Sequence, residues 1–65
     1  INMCELNAVL VTGNERQVIM ESVTRMVNND GKIELTGIFG DKKYVTGVIK
    51  EVDFSKGETI ITQYS

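Results

Sequence analysis

The sequence predicts an all-β domain of short antiparallel strands, and three observations carry that expectation. Turn signals recur at short, fairly even intervals: Thr12-Gly13-Asn14, Asn29-Asp30-Gly31, Gly40-Asp41, Gly47 and Ser55-Lys56-Gly57. The segments between them are rich in Val, Ile and Thr, whose branched side chains suit a pleated surface. The chain has no proline, low-complexity stretch or internal repeat, so its 65 residues read as one continuous module with no linker.

In chain order, Cys4 to Val11 alternates Leu6, Ala8 and Leu10 on one face. Glu15 to Asn28 is ambiguous, because Ile19, Val23, Met26 and Val27 fall at helical spacing while Val18 to Met20 and Ser22 to Asn28 also suit two strands. Two strands with a bend or bulge at Glu21-Ser22 fit the β neighbours better than a helix. Asp30-Gly31 is the strongest turn, since both residues tolerate the positive φ that a hairpin matched to strand twist requires. Lys32 to Phe39 then places Ile33, Leu35 and Phe39 inward and Lys32, Glu34 and Thr36 outward. Tyr44 to Thr46, Val48 to Asp53 and Glu58 to Gln63 complete about six or seven strands, enough to close a small antiparallel barrel.

A domain this small buries only roughly 60% of the surface its unfolded chain exposes and usually needs a further device. One cysteine cannot form an internal disulfide, and a chain without histidine cannot supply the usual four-ligand structural zinc site. Self-association remains, and the chain is expected to be a homodimer. Val9, Val11, Ile19, Ile38 and Ile61 fall where strand alternation points to solvent, which fits either an association surface or strands buried on both faces.

Composition removes several function classes. Nine acidic residues against seven basic give a net charge of −2, a poor match to nucleic acid. No apolar run approaches the ~20 residues of a membrane helix, and no leader with a basic segment is visible, so the chain reads as cytoplasmic. Without histidine the commonest general base is missing, and the chain reads as a non-enzyme. Glu51 with Asp53 and Asp41-Lys42-Lys43 read as solvated charge. A single-stranded RNA-binding barrel is the alternative, resting on Phe39, Tyr44, Phe54 and Tyr64 with Lys42 and Lys43.

The one feature that suggests chemistry is Cys4, directly after Met3. A lone cysteine on a strand is by default a small buried hydrophobe. Ile1 and Asn2 read as a two-residue leader foreign to the natural chain, so that residues 3–65 form the domain. If Met3 is the natural start and is removed, Cys4 carries its own amine. Thiolate, amine and the Glu5 backbone nitrogen then lie within chelating reach. Two such sets across a twofold axis would make a nitrogen and sulfur square plane suited to Ni(II) or Cu(II), with one metal per dimer.

Together, Met3-Cys4, the short all-β length, the Thr12-Gly13-Asn14 turn, the Lys32 to Phe39 strand, Gly47-Val48-Ile49 and Val52-Asp53-Phe54 resemble the CooT family from Met3 onward. The resemblance implies a homodimer of Sm-like or SH3-like barrels binding one Ni(II) per dimer through Cys4 of each chain. It further implies delivery to the apoprotein of a nickel enzyme, carbon monoxide dehydrogenase. Ile1 and Asn2 turn the Cys4 amine into an amide, which would weaken or redirect binding.

Overall fold

The computed structural model describes residues 5–63. It contains six strands, β1 (Leu6–Thr12), β2 (Glu15–Asn29), β3 (Lys32–Gly37), β4 (Lys42–Thr46), β5 (Val48–Asp53) and β6 (Glu58–Thr62). They form one sheet in the order β4-β3-β2-β1-β6-β5. No helix among the described residues is long and apolar enough to cross a membrane.

The expected closed antiparallel barrel is corrected in two respects. β1 and β6 run parallel, with Asn7 opposite Glu58 and Val11 opposite Thr62. β4 and β5 are the two edges of the strand order and do not pair with each other, so the sheet is not closed. Yet only Gly47 separates these edges in sequence, and the sheet must therefore curl to bring them together. Gly47 donates its N–H to the Gly31 carbonyl at 2.8 Å, and a Cβ there would strike the Thr62 carbonyl oxygen.

Glu15 to Asn29 is one strand of fifteen residues rather than two strands or a helix, and it bends where the sequence places a break. Between the pairs Leu6↔Val23 and Ala8↔Met20 the strand β2 gains a residue on β1, and it gains another before Val9↔Val18. A third extra residue lies between Val23↔Gly37 and Arg25↔Thr36 on the β3 side. Such bulges bend a strand and increase its twist. Ser22, at φ 55, sits at the turning point, and its N–H donates to Asn7 Oδ1 at 3.3 Å. Asp30 and Gly31, at φ 50 and 81, form the predicted hairpin turn into β3.

The curl lets one core form from both halves of the sheet. Ala8 and Ile61 meet Val23, Ile33, Leu35 and Val45, with Leu10, Ile19, Met20, Met26 and Ile49 packed around them. Each fully buried aliphatic side chain contributes roughly 1.5–3 kcal/mol. The buried Thr59 hydroxyl donates to the Glu51 carbonyl at 3.4 Å, so no polar atom is stranded there.

Several side-chain assignments change. Ile61 is fully buried rather than outward, because its opposite numbers are Leu10 on β1 and Ile49 on β5. Val9 is also fully buried although it lies on the face away from that core. Arg16, opposite Val11, reaches Glu58, opposite Asn7, and this ion pair crosses β1 at the level of Val9. Val11 and Ile19 are half-buried, and Ile38 is exposed as expected. Phe39, predicted inward, is 94% exposed because β3 ends at Gly37 and the chain has already turned.

The turn from β5 to β6 is held by Asp53, whose Oδ1 accepts from Ser55 Oγ at 2.6 Å, Ser55 N at 3.0 Å and Lys56 N at 3.1 Å. The Ser55 hydroxyl bond, followed by that from the Lys56 N–H, holds the Asp53 carboxyl below its ordinary value of 3.8.

Two expectations follow for stability. Gly47→Ala should lower the unfolding free energy by roughly 1–3 kcal/mol through overpacking, read from the urea midpoint; an unchanged midpoint would contradict the close approach. Asp53 has a depressed folded pKa, so its contribution is present above the unfolded value and is lost as pH falls through the folded one. The urea midpoint difference between wild type and Asp53→Asn should therefore be constant above about pH 5 and shrink under more acidic conditions. A difference that grew on acidification would refute the cap.

Candidate metal centre

Cys4, the candidate thiolate ligand, lies outside the described residues. Glu5, whose backbone nitrogen is the second candidate, is the first described residue; it is exposed and precedes β1. Among the described residues, no group of three or more His, Cys, Asp or Glu side chains could hold a metal ion.

What the structure does define is the anchor behind these two residues. Leu6 is buried and opposite Val23, just past the β2 bend. Asn7 donates its N–H to the Gly57 carbonyl at 2.8 Å and accepts from Ser22 N with its side chain. The start of β1 is thus tied on one side to the bend and on the other to the β5–β6 turn. Gly57 lies beside the Glu5 carbonyl, which would be 3.9 Å from a Cβ at that glycine.

Beside this anchor is a cleft of about 210 Å³ lined by Leu6, Val23, Thr24, Arg25, Met26 and Phe54. Its apolar floor arises because β1 starts opposite Val23 while β2 continues to Asn29, and no described strand pairs with Thr24 to Asn29 on that side. Phe54 stands at the rim, 69% exposed, on the turn that Asp53 fixes. The Arg25 guanidinium is turned toward Glu34 on β3, at 3.4 Å.

Of the residues singled out for RNA, Lys42 and Tyr44 share one face of β4 and Lys43 takes the other. Lys42 reaches Glu34 and Thr36 on one face of the sheet, whereas Lys43 reaches the Ile19 carbonyl at 3.0 Å. Tyr44 lies under Lys32, whose Nζ is 5.8 Å from the ring centroid. Phe39 and Phe54 occupy different turns, and Tyr64 is outside the described residues. Glu51 and Asp53 do not act as a carboxylate pair, because Asp53 is occupied by its own turn. The cleft at Leu6 was not foreseen; the Asp53-Phe54-Ser55 sequence, an Asx-turn pattern presenting an aromatic, was its one readable signal.

Comparison with known proteins bears on the fold and the family. The fold is similar to the crystal structure of a candidate CooT from Carboxydothermus hydrogenoformans, with a TM-score of 0.87 and 22% identity, covering 95% of this chain and 100% of that one. No curated protein sequence matches the chain. The family described as CO dehydrogenase accessory protein CooT matches residues 3–62, which leaves out Ile1, Asn2 and the last three residues. With nearly its whole length matched, the chain belongs to the CooT family, the accessory proteins of carbon monoxide dehydrogenase.

Proposed function

We propose that this protein is a nickel carrier in the maturation of carbon monoxide dehydrogenase, a homodimer that holds one Ni(II) between the Cys4 thiolates of two chains and passes it to the apoenzyme. Family membership supplies the accessory role. The observation that carries the metal reading is the position of Cys4: it is the chain's only thiol, follows Met3 where the family match begins, and sits two residues before the anchored Leu6.

The chemistry is that of a borderline-soft ion. The thiolate and the Cys4 nitrogen form a five-membered chelate ring, with the Glu5 backbone nitrogen as the alternative nitrogen donor, and one sulfur and one nitrogen from each chain fill a square plane, a geometry distinct from the tetrahedron that zinc prefers. The ion is cargo, so an acceptor's ligands can replace Cys4 stepwise. The thiolate must be reduced and deprotonated to bind, which suits a cytoplasmic protein and makes affinity fall with acidification.

Nickel added to protein beginning at Met3, with removal of Met3 verified by mass, should give thiolate-to-nickel charge-transfer absorption that saturates at one ion per two chains. Cys4→Ser should abolish it, and the chain carrying Ile1 and Asn2 should bind more weakly. A full signal in Cys4→Ser would exclude the assignment.

A further inference from the structure

We infer that the open edge of β4 is a docking site for an extended, acidic segment of another protein, which adds to the sheet as a further strand. The inference stands apart from the nickel reading. The topology supplies the edge. β4 pairs with β3 alone and ends the strand order, so alternate residues from Lys42 to Thr46 present N–H and C=O groups to a side with no neighbouring strand. Among the described residues, no backbone bond from a turn or loop reaches Lys42 to Thr46 either. An extended peptide gains main-chain hydrogen bonds at such an edge, and its alternate side chains decide whether it fits.

Charge identifies the occupant. β4 reads Lys42-Lys43-Tyr44-Val45-Thr46, with two cations and no carboxylate. Lys42 stands on the outer face and Lys43 on the other, so an incoming strand meets an ammonium whichever face its own acidic side chains take. Lysines on an edge ordinarily block pairing with neutral or like-charged strands, whereas opposite charges across a strand pair attract. A second copy's β4 brings two more lysines and is disfavoured on that ground. Behind the edge, Arg25 at 3.4 Å and Lys42 at 3.2 Å share the Glu34 carboxylate, and Lys32 lies over the Tyr44 ring. The outer face of β3, β4 and the second half of β2 thus sets Arg25, Lys32 and Lys42 against Glu34 alone. The Asp41 carboxylate is turned to Gly37, where a Cβ would strike its Oδ1. Tyr44, 57% exposed, lines a shallow recess of about 90 Å³ with Val27, Asn29, Lys32 and Glu34, a seat for one small apolar side chain of the same segment. The opposite edge, β5, sets Lys50 against Glu51 and Asp53 and offers an acidic strand no such preference. Nucleic acid fits this face less well, because Glu34 sits at its centre and Tyr44 is the one aromatic there for base stacking.

The probe is a fluorescein-labelled octapeptide of alternating Glu and Val, titrated with the full chain at low salt and followed by fluorescence polarisation, with amide NMR to locate the contact. Binding should shift the amide resonances of Lys42 to Thr46 more than those of β5, and should weaken as salt is added. Replacing each Glu of the peptide by Lys, or N-methylating its backbone nitrogens, should abolish binding. Lys42→Gln should weaken it about threefold and Lys42→Glu about tenfold, with circular dichroism confirming that each variant folds. Lys50→Glu, the same charge change on the other edge, should stay within about twofold of wild type. No binding at about 1 mM peptide, equal binding of the lysine or N-methylated peptide, shifts centred away from β4, or an equal loss in Lys50→Glu would overturn the inference. Displacement of the peptide by single-stranded oligouridine would also overturn it and assign the face to nucleic acid.

Discussion

The bend in β2 is the constraint from which the rest of the molecule follows. One strand of fifteen residues lends its first half to β1 and its second half to β3, and three extra residues with a left-handed Ser22 turn it between them. The cost of a non-glycine residue at positive φ is offset locally, because the Ser22 N–H finds Asn7 Oδ1 and its carbonyl finds the Ile38 N–H. Without that turn, Val23, Ile33, Leu35 and Val45 would have nothing to meet, and Ala8 and Ile61 would lie on an open surface. A chain this small has no second core to fall back on.

The same bend creates a recess at the start of β1. β1 starts at the turning point, so β2 runs on past it with its β1-side edge unpaired among the described residues. Edges of this kind are ordinarily covered or blunted. Here the cleft is bounded by Phe54 instead. The fold thus brings a fixed aromatic and an apolar recess together at the start of β1.

Much of the architecture was legible in the sequence because local chemistry dictates it. Asp30-Gly31 makes the hairpin, Ile33 and Leu35 alternate into the core, and Glu21-Ser22 marks the bend, since each depends on backbone preference or side-chain periodicity alone. What was not legible depends on partners distant in the chain. In the pair Ile60-Ile61 either residue could face inward, and only pairing with Leu10 and Ile49 selects Ile61. Val9 is covered by an ion pair between Arg16 and Glu58, forty-two residues apart. Phe39 continues an inward alternation in sequence, but Gly37 ends the strand before it. Sheet closure and the parallel β1–β6 pair are global properties, for which strand content offers no local signal. As for the site, Cys4 and Glu5 were readable only as chemistry, whereas the Leu6 anchor and the Phe54 cleft are products of the curl.

The central claim is that one ion is shared by two sulfurs from two chains, and X-ray absorption at the nickel edge reads it most directly. On protein beginning at Cys4 and loaded with one ion per two chains, the account predicts two sulfur and two nitrogen neighbours about each nickel in a planar centre. A single sulfur per ion, or a shell of oxygen and nitrogen alone, would contradict it.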